Sequence, residues 1–120
     1  MCGVKTRIGL IGVDGKTIFG NCKSSKNSKI HSIVKWAHDA GKSVGIVTTT
    51  RITHATPAAA YASSASREWE TYDGKIFSKQ QFDEGCKDIA SQLVDDASYI
   101  DVRKFLYQKL FYAIYLKLSW

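Results

Sequence analysis

In the stretch Val44–Ala62, VGIVTTTRITHATPAAAYA, one histidine (His54) and one hydroxyl (Thr56) stand next to Pro57 in a threonine-rich loop, with Arg67 a little further on. Val44, Ile46 and Val47 form a β-branched run, and Pro57 followed by Ala58, Ala59 and Ala60 opens a helix. Thr48–Thr56 therefore joins a strand to a helix. Open α/β folds place ligands beside such connections, where the helix start offers unpaired N–H groups to an anion. Each residue also has a plainer reading. A threonine before proline is an ordinary helix cap, and a loop histidine is usually solvated or hydrogen-bonded. Arg67 beside Glu68 and Glu70 is an exposed ion pair worth about 0–1 kcal/mol.

The elements that must position these residues follow from periodicity. Ile30, Ile33, Val34 and Ala37 predict a helix over Lys29–Ala40, with Ser28 as a possible cap and Gly41 as its end. Ser43–Thr50 is the strand, and the helix after Pro57 is expected to run to about Ser63. Asp73-Gly74 marks a turn. Phe82, Cys86, Ile89, Ala90 and Leu93 share one face of a second helix over Ser78–Val94, and Ser98–Val102 is a short strand. The Ser-Lys cluster Lys23–Lys29 reads as loop. Alternating helix and strand gives an α/β layered fold. Two strands are few for a complete sheet, so the sequence predicts part of a larger domain.

A chain of 120 residues with 44% hydrophobic content is enough for one domain and no more. The net charge of +6 raises the question of nucleic acid. Met1–Ile30 holds six Lys/Arg against Asp14 alone, and Arg103–Trp120 holds four against none, whereas His31–Val102 holds seven against ten Asp/Glu. That distribution gives no clustered basic stripe with interleaved aromatics, so no nucleic-acid partner is expected. No apolar stretch behind a basic start resembles a signal peptide near Met1.

Three motifs in register carry a family resemblance: "CGVK" at Cys2–Lys5, "GKSVGIVTTTRITHATPAAAYASSASREW" at Gly41–Trp69, and "EGCKDIASQL" at Glu84–Leu93. Together they resemble animal alkaline phosphatase, from about Cys2 to Val102. The resemblance implies a partial three-layer αβα sandwich with an incomplete sheet. It also implies an enzyme, a phosphoric monoester hydrolase working at alkaline pH. In that family a serine nucleophile is phosphorylated between two zinc ions and one magnesium. Paired metals can stabilise attacking and leaving oxygens and neutralise phosphoryl charge.

By the same resemblance, Thr56 falls on the magnesium-ligating hydroxyl and His54 near that magnesium, in contact through a water. Hydroxyl oxygen suits a hard cation, and imidazole suits it poorly. Arg67 falls on the phosphate-binding arginine, whose planar fork grips two phosphate oxygens and keeps its charge in alkaline solution. An unbroken helix from Pro57 to Arg67 would separate its ends by about 15 Å. The helix is therefore expected to stop at Ser63, Ser64 and Ser66, so that Arg67 can return toward the loop. Cys22 and Cys86 fall on a family disulfide, worth about 4 to 4.5 kcal/mol in the chain-entropy model, and Cys2 on an unpaired position. Without the resemblance, three buried thiols in a reducing compartment fit the same sequence.

The family's serine lies just upstream of "CGVK", so no serine of this chain is expected to be the nucleophile, and the zinc ligands are expected elsewhere. This chain alone is expected to be inactive. Residues 1–102 form the phosphatase region, and 103–120, RKFLYQKLFYAIYLKLSW, a divergent basic aromatic tail. Its uncharged run Leu110–Leu116 is too short to span a membrane, and its basic, aromatic composition also fits a helix lying on an anionic surface. The family's homodimer, glycolipid anchor and extracellular location are implied only for the parent protein, and no anchor signal is read here. The alternative to hydrolysis is a non-catalytic piece that binds a partner subunit or an anionic membrane surface.

Overall fold

The computed structural model describes residues 1–105. Five short helices and two strands appear in the order α1 (Cys22–Lys26), α2 (Ile33–Asp39), β1 (Gly45–Thr48), α3 (Ala55–Ala58), α4 (Lys79–Asp83), α5 (Ile89–Asp95), β2 (Val102–Phe105). The strands pair in parallel, from Gly45 opposite Val102 to Thr48 opposite Phe105. Asp101 leads into this ladder: its N–H donates to Val44 O at 2.9 Å, and its carboxylate accepts the Val44 N–H at 2.8 Å. The strand expected over Ser98–Val102 therefore begins only at Val102, after a turn closed by the Ile100 N–H on Ala97 O. The fold is α/β with a partial sheet, as expected. The interfacial helix suggested for the tail lies outside the described residues.

Several helix ends differ from the periodic reading. The Ser-Lys cluster is not loop throughout, because the Asn21 side chain caps the Ser24 N–H and starts α1. The helix predicted over Lys29–Ala40 starts at Ile33, capped by Ser32. Lys29 is held extended by a bridge to Val13, and the Ile30 N–H donates to Gly12 O, so neither residue can enter the helix. At the other end Gly41, with φ of 76°, closes α2 by a Schellman pair, Gly41 N–H to His38 O and Lys42 N–H to Ala37 O. The long helix predicted over Ser78–Val94 is two helices. Gly85, with φ of 73°, ends α4 by the same pair of bonds, from Gly85 to Phe82 O and from Cys86 to Gln81 O. Asp88 then accepts the Ser91 N–H and starts α5. The break drops Cys86 inward.

Cys86 meets Cys22 in a disulfide with Cα atoms 6.1 Å apart, while Cys2 remains a free thiol. The bridge sits in a buried cluster with Ala65, Trp69 and Phe77. A second cluster places Ile46 of β1 against Ala60, Leu93, Ala97 and Ile100, and a third joins Ile11, Ala58, Ala62 and Ile89. Small residues dominate the centre. Ala58, Ala60, Ala62 and Ala65 are all buried, which lets the chain after α3 run close beside Leu10–Val13.

Gly12 makes this approach possible. It has φ of 58°, and a Cβ there would lie 2.0 Å from Ala62 O. Gly12→Ala should therefore cost more than about 2 kcal/mol, combining the clash with positive-φ strain, while Gly20→Ala, which meets nothing within 4 Å, should lose only about 1 kcal/mol. Urea midpoints of the two variants test the difference. Cys22→Ser should lower stability by about 4 kcal/mol for the 64-residue separation that the bridge closes, and reductant should reproduce the loss in the parent but not in the variant.

Candidate functional site

The loop after β1 is built from side chains that answer one another. Thr50 donates its N–H to Thr48 Oγ1 at 3.2 Å, which curls the chain out of the strand. His54 donates its N–H to Arg51 O at 3.0 Å, and the Tyr61 hydroxyl donates to Ile52 O at 2.9 Å. His54 then takes the helix-capping position of α3 through its backbone, without a side-chain capping bond. Its Nδ1 is buried and finds no hydrogen-bond partner among the described residues. Thr56 is not the cap that the plainer reading made it. It lies inside α3, and its residue is exposed. The anion site expected at the helix start is weakened in turn, because a four-residue helix aligns too few peptide dipoles.

α3 begins at Ala55, before Pro57, and ends at Ala58, with turns to Tyr61, so the helix stops before Arg67 but short of the Ser63–Ser66 stop expected from the sequence. The cause is a two-bond bridge: Ile11 N–H to Ser64 O at 3.1 Å and Ser64 N–H to Ile11 O at 2.8 Å. Arg67 extends it by donating its N–H to Gly9 O at 2.7 Å. Its guanidinium is partly exposed, with Nε 3.6 Å from Glu68 Oε1. Among the described residues no hydrogen bond or ion pair joins it to His54 or Thr56.

The residue that reaches the loop is Glu70. Arg51 donates Nε to Glu70 Oε2 at 2.9 Å and Nη2 to Oε1 at 2.7 Å, a bidentate fork. Thr53 Oγ1 donates to the same carboxylate. These bonds, the Arg51 fork first, hold the Glu70 carboxyl down at about 2 against the opposing effect of burial, and the charges of Arg51 and His54 add to the shift. The sequence reading had offered Glu70 as a partner of Arg67. No local pattern announces a pairing between residues 19 positions apart.

The described residues contain no cluster of three or more His, Cys, Asp or Glu able to hold a metal ion. A cleft of about 370 Å³ lies away from the loop, between the disulfide and Gln92. Two of the lysines lining it are engaged, Lys26 Nζ with Glu84 O and Lys87 Nζ with Asp95 and Asp96.

The parallel strand pair, the threonine-rich loop after β1 and the early end of α3 give an α/β layered fold, and sequence comparison gives that fold its family. The alkaline phosphatase family model matches residues 1–107, and the chain belongs to the alkaline phosphatase family. The match runs past Val102 into the segment that the sequence reading set apart. Human tissue-nonspecific alkaline phosphatase is 47% identical over 114 residues, covering 91% of this chain and 21% of that protein. The alkaline phosphatase of Gadus morhua is 43% identical and is covered to 24% of its length, against 91% of this chain. The chain thus spans about a fifth to a quarter of these relatives. Among solved structures, the alkaline phosphatase of the Antarctic bacterium TAB5 shares the fold with a TM-score of 0.50 at 24% identity, over 88% of this chain and 36% of that one.

The Glu70 cluster makes a pH test possible. Because the folded carboxyl titrates near 2 rather than its ordinary 4.5, the stability it adds is fully present above 4.5 and is lost as pH falls toward 2. Glu70→Gln should be less stable than the parent by about 1 kcal/mol at pH 7, discounted because Arg51 is largely exposed. The gap should close between pH 4.5 and 2, as read from paired urea unfolding curves across that range.

Proposed function

We propose that this chain is part of a phosphate-monoester hydrolase and supplies the magnesium-side loop and the phosphate-holding arginine of its site. The observation that supports the reading most directly is the placement of Arg67. The chain leaves α3 early, and a backbone ladder to Gly9 and Ile11 fixes the peptide from which the guanidinium projects. A planar guanidinium that remains charged at alkaline pH suits two oxygens of a phosphate ester.

The donor set fits a magnesium ion only in part. Thr56 has an accessible hydroxyl oxygen on the first turn of α3, and the unpartnered His54 Nδ1 suits contact through a bound water. Such an ion, completed by ligands from other parts of the protein, would offset phosphoryl charge. The described residues do not fit zinc, since they lack a ligand cluster. In this reading the serine nucleophile and the zinc ligands come from other parts of the protein, and hydrolysis needs them together with this segment. The disulfide favours an oxidising location such as the extracellular face where the glycolipid-anchored parent family works. Among the described residues no helix is long and apolar enough to cross a membrane.

A second reading, a non-catalytic piece that docks on more of an alkaline phosphatase subunit, is favoured by exposed apolar side chains. Val47 on β1 is 66% exposed, Val94 71% and Ile8 99%. Parallel sheets are ordinarily covered on both faces, and such side chains suit a dimeric or longer partner.

Titration with inorganic phosphate in the presence of magnesium tests the first reading. Arg67→Ala should weaken phosphate binding by about tenfold or more, and Thr56→Ala should weaken magnesium binding with little effect on phosphate. Equal phosphate affinity in Arg67→Ala would refute the assignment. Hydrolysis of p-nitrophenyl phosphate by the chain with zinc and magnesium, lost in Arg67→Ala, would show that the site is complete rather than partial.

A further inference from the structure

We propose that Glu70 is a positioning residue that latches the Thr48–Thr56 loop to the segment carrying Arg67, so that the two walls of the site keep a fixed spacing. The inference rests on the functional reading above for the meaning of that spacing, but the latch itself stands on geometry. Glu70 is a firm post. The Ala90 N–H donates to its carbonyl at 3.0 Å, and the Ile89 N–H donates to the carbonyl of Trp69 beside it at 2.8 Å, so the first turn of α5 holds both residues. Trp69 is itself buried in the disulfide cluster, edge-on to Phe77 with ring centroids 5.4 Å apart. Arg67 lies on the same short segment, tied to Gly9.

Against this post the loop has little regular structure of its own. Only bends and turns join β1 to α3. Two of its side chains, Arg51 and Thr53, converge on one carboxylate from the loop's middle, and Tyr61 holds Ile52 between them through its carbonyl. Three consecutive residues are thus anchored just before His54. A carboxylate accepting a bidentate guanidinium and a hydroxyl fixes distance and direction at once, which a single surface ion pair does not. Glutamine at position 70 keeps the shape but can accept from the guanidinium at only one atom, and its amide nitrogen would face a donor.

Amide hydrogen exchange on the whole chain tests the latch without relying on activity. In Glu70→Gln the amides of Arg51–His54 should exchange roughly five- to tenfold faster, while those of Ile11 and Ser64 keep their protection. Arg51→Gln, a change on a largely exposed side chain, should give the same local pattern. The charge-exchanged double variant Arg51→Glu with Glu70→Arg should recover part of the protection. Unchanged exchange at Arg51–His54 in both single variants would overturn the latch, as would loss of protection spread evenly over the chain. The same samples titrated with inorganic phosphate separate the two proposals. A several-fold weaker phosphate affinity in Glu70→Gln supports the positioning role, and unchanged affinity alongside faster loop exchange overturns it. Failure of the parent chain to bind phosphate at all would count against the functional reading, while the exchange data would still decide the latch.

Discussion

The pair of backbone hydrogen bonds between Ile11 and Ser64 is the constraint on which the rest of the molecule depends. Backbone groups released by ending α3 early need partners in a region where the flanking residues are buried, and Ile11 supplies them. Once that bridge forms, Gly12 lies against Ala62, the Ser63 hydroxyl donates to Gly12 O, and Arg67 falls opposite Gly9. Alanines at 58, 60, 62 and 65 are the packing side of the same arrangement. Larger side chains would hold the two segments apart and break the bridge.

A second relationship sets the limits of this core. Three small buried clusters hold the described residues together, two of them sharing the partly buried Tyr61. β1 buries Ile46 on one side and leaves Val47 to solvent on the other. α2 buries no residue fully, and its Ile33 and Trp36 stand more than half exposed. Alternation of this kind marks an antiparallel sheet with one wet face, yet the pairing here is parallel. The mismatch is understandable in a chain that spans about a fifth of the length of its human relative.

Much of the architecture was readable in the sequence because its signals are local. Gly41 ended a helix, and Asp73 and Gly74 made a turn whose Asp73 carboxylate collects the N–H groups of Lys75, Ile76 and Phe77. Where the reading failed, a distant contact outweighed a near pattern. Phe82, Cys86, Ile89 and Leu93 keep helical spacing, but the disulfide draws Cys86 inward and Gly85 supplies the left-handed residue that permits it. Ile30 keeps helical spacing with Ile33, Val34 and Ala37, and Lys29 was expected to start that helix, but the two are claimed instead by Gly12 and Val13. The candidate site divides the same way. His54, Thr56 and Arg67 were proposed from type, order and resemblance, whereas the convergence of Arg51 and Thr53 on Glu70 depends on tertiary geometry that no spacing encodes.

The Cys22–Cys86 bond has a topological meaning besides its energetic one. It closes a covalent ring that contains β1, the threonine-rich loop, α3, Arg67 and Glu70, with both strands of the sheet divided between ring and tail. A single peptide-bond cut anywhere inside that ring leaves one covalently connected molecule. A cut before Cys22 or after Cys86 releases a piece outright. A nick between Thr56 and Arg67 would therefore stay silent as chain separation for as long as the bridge is oxidised, and reduction would then leave the loop and the arginine on two separate chains.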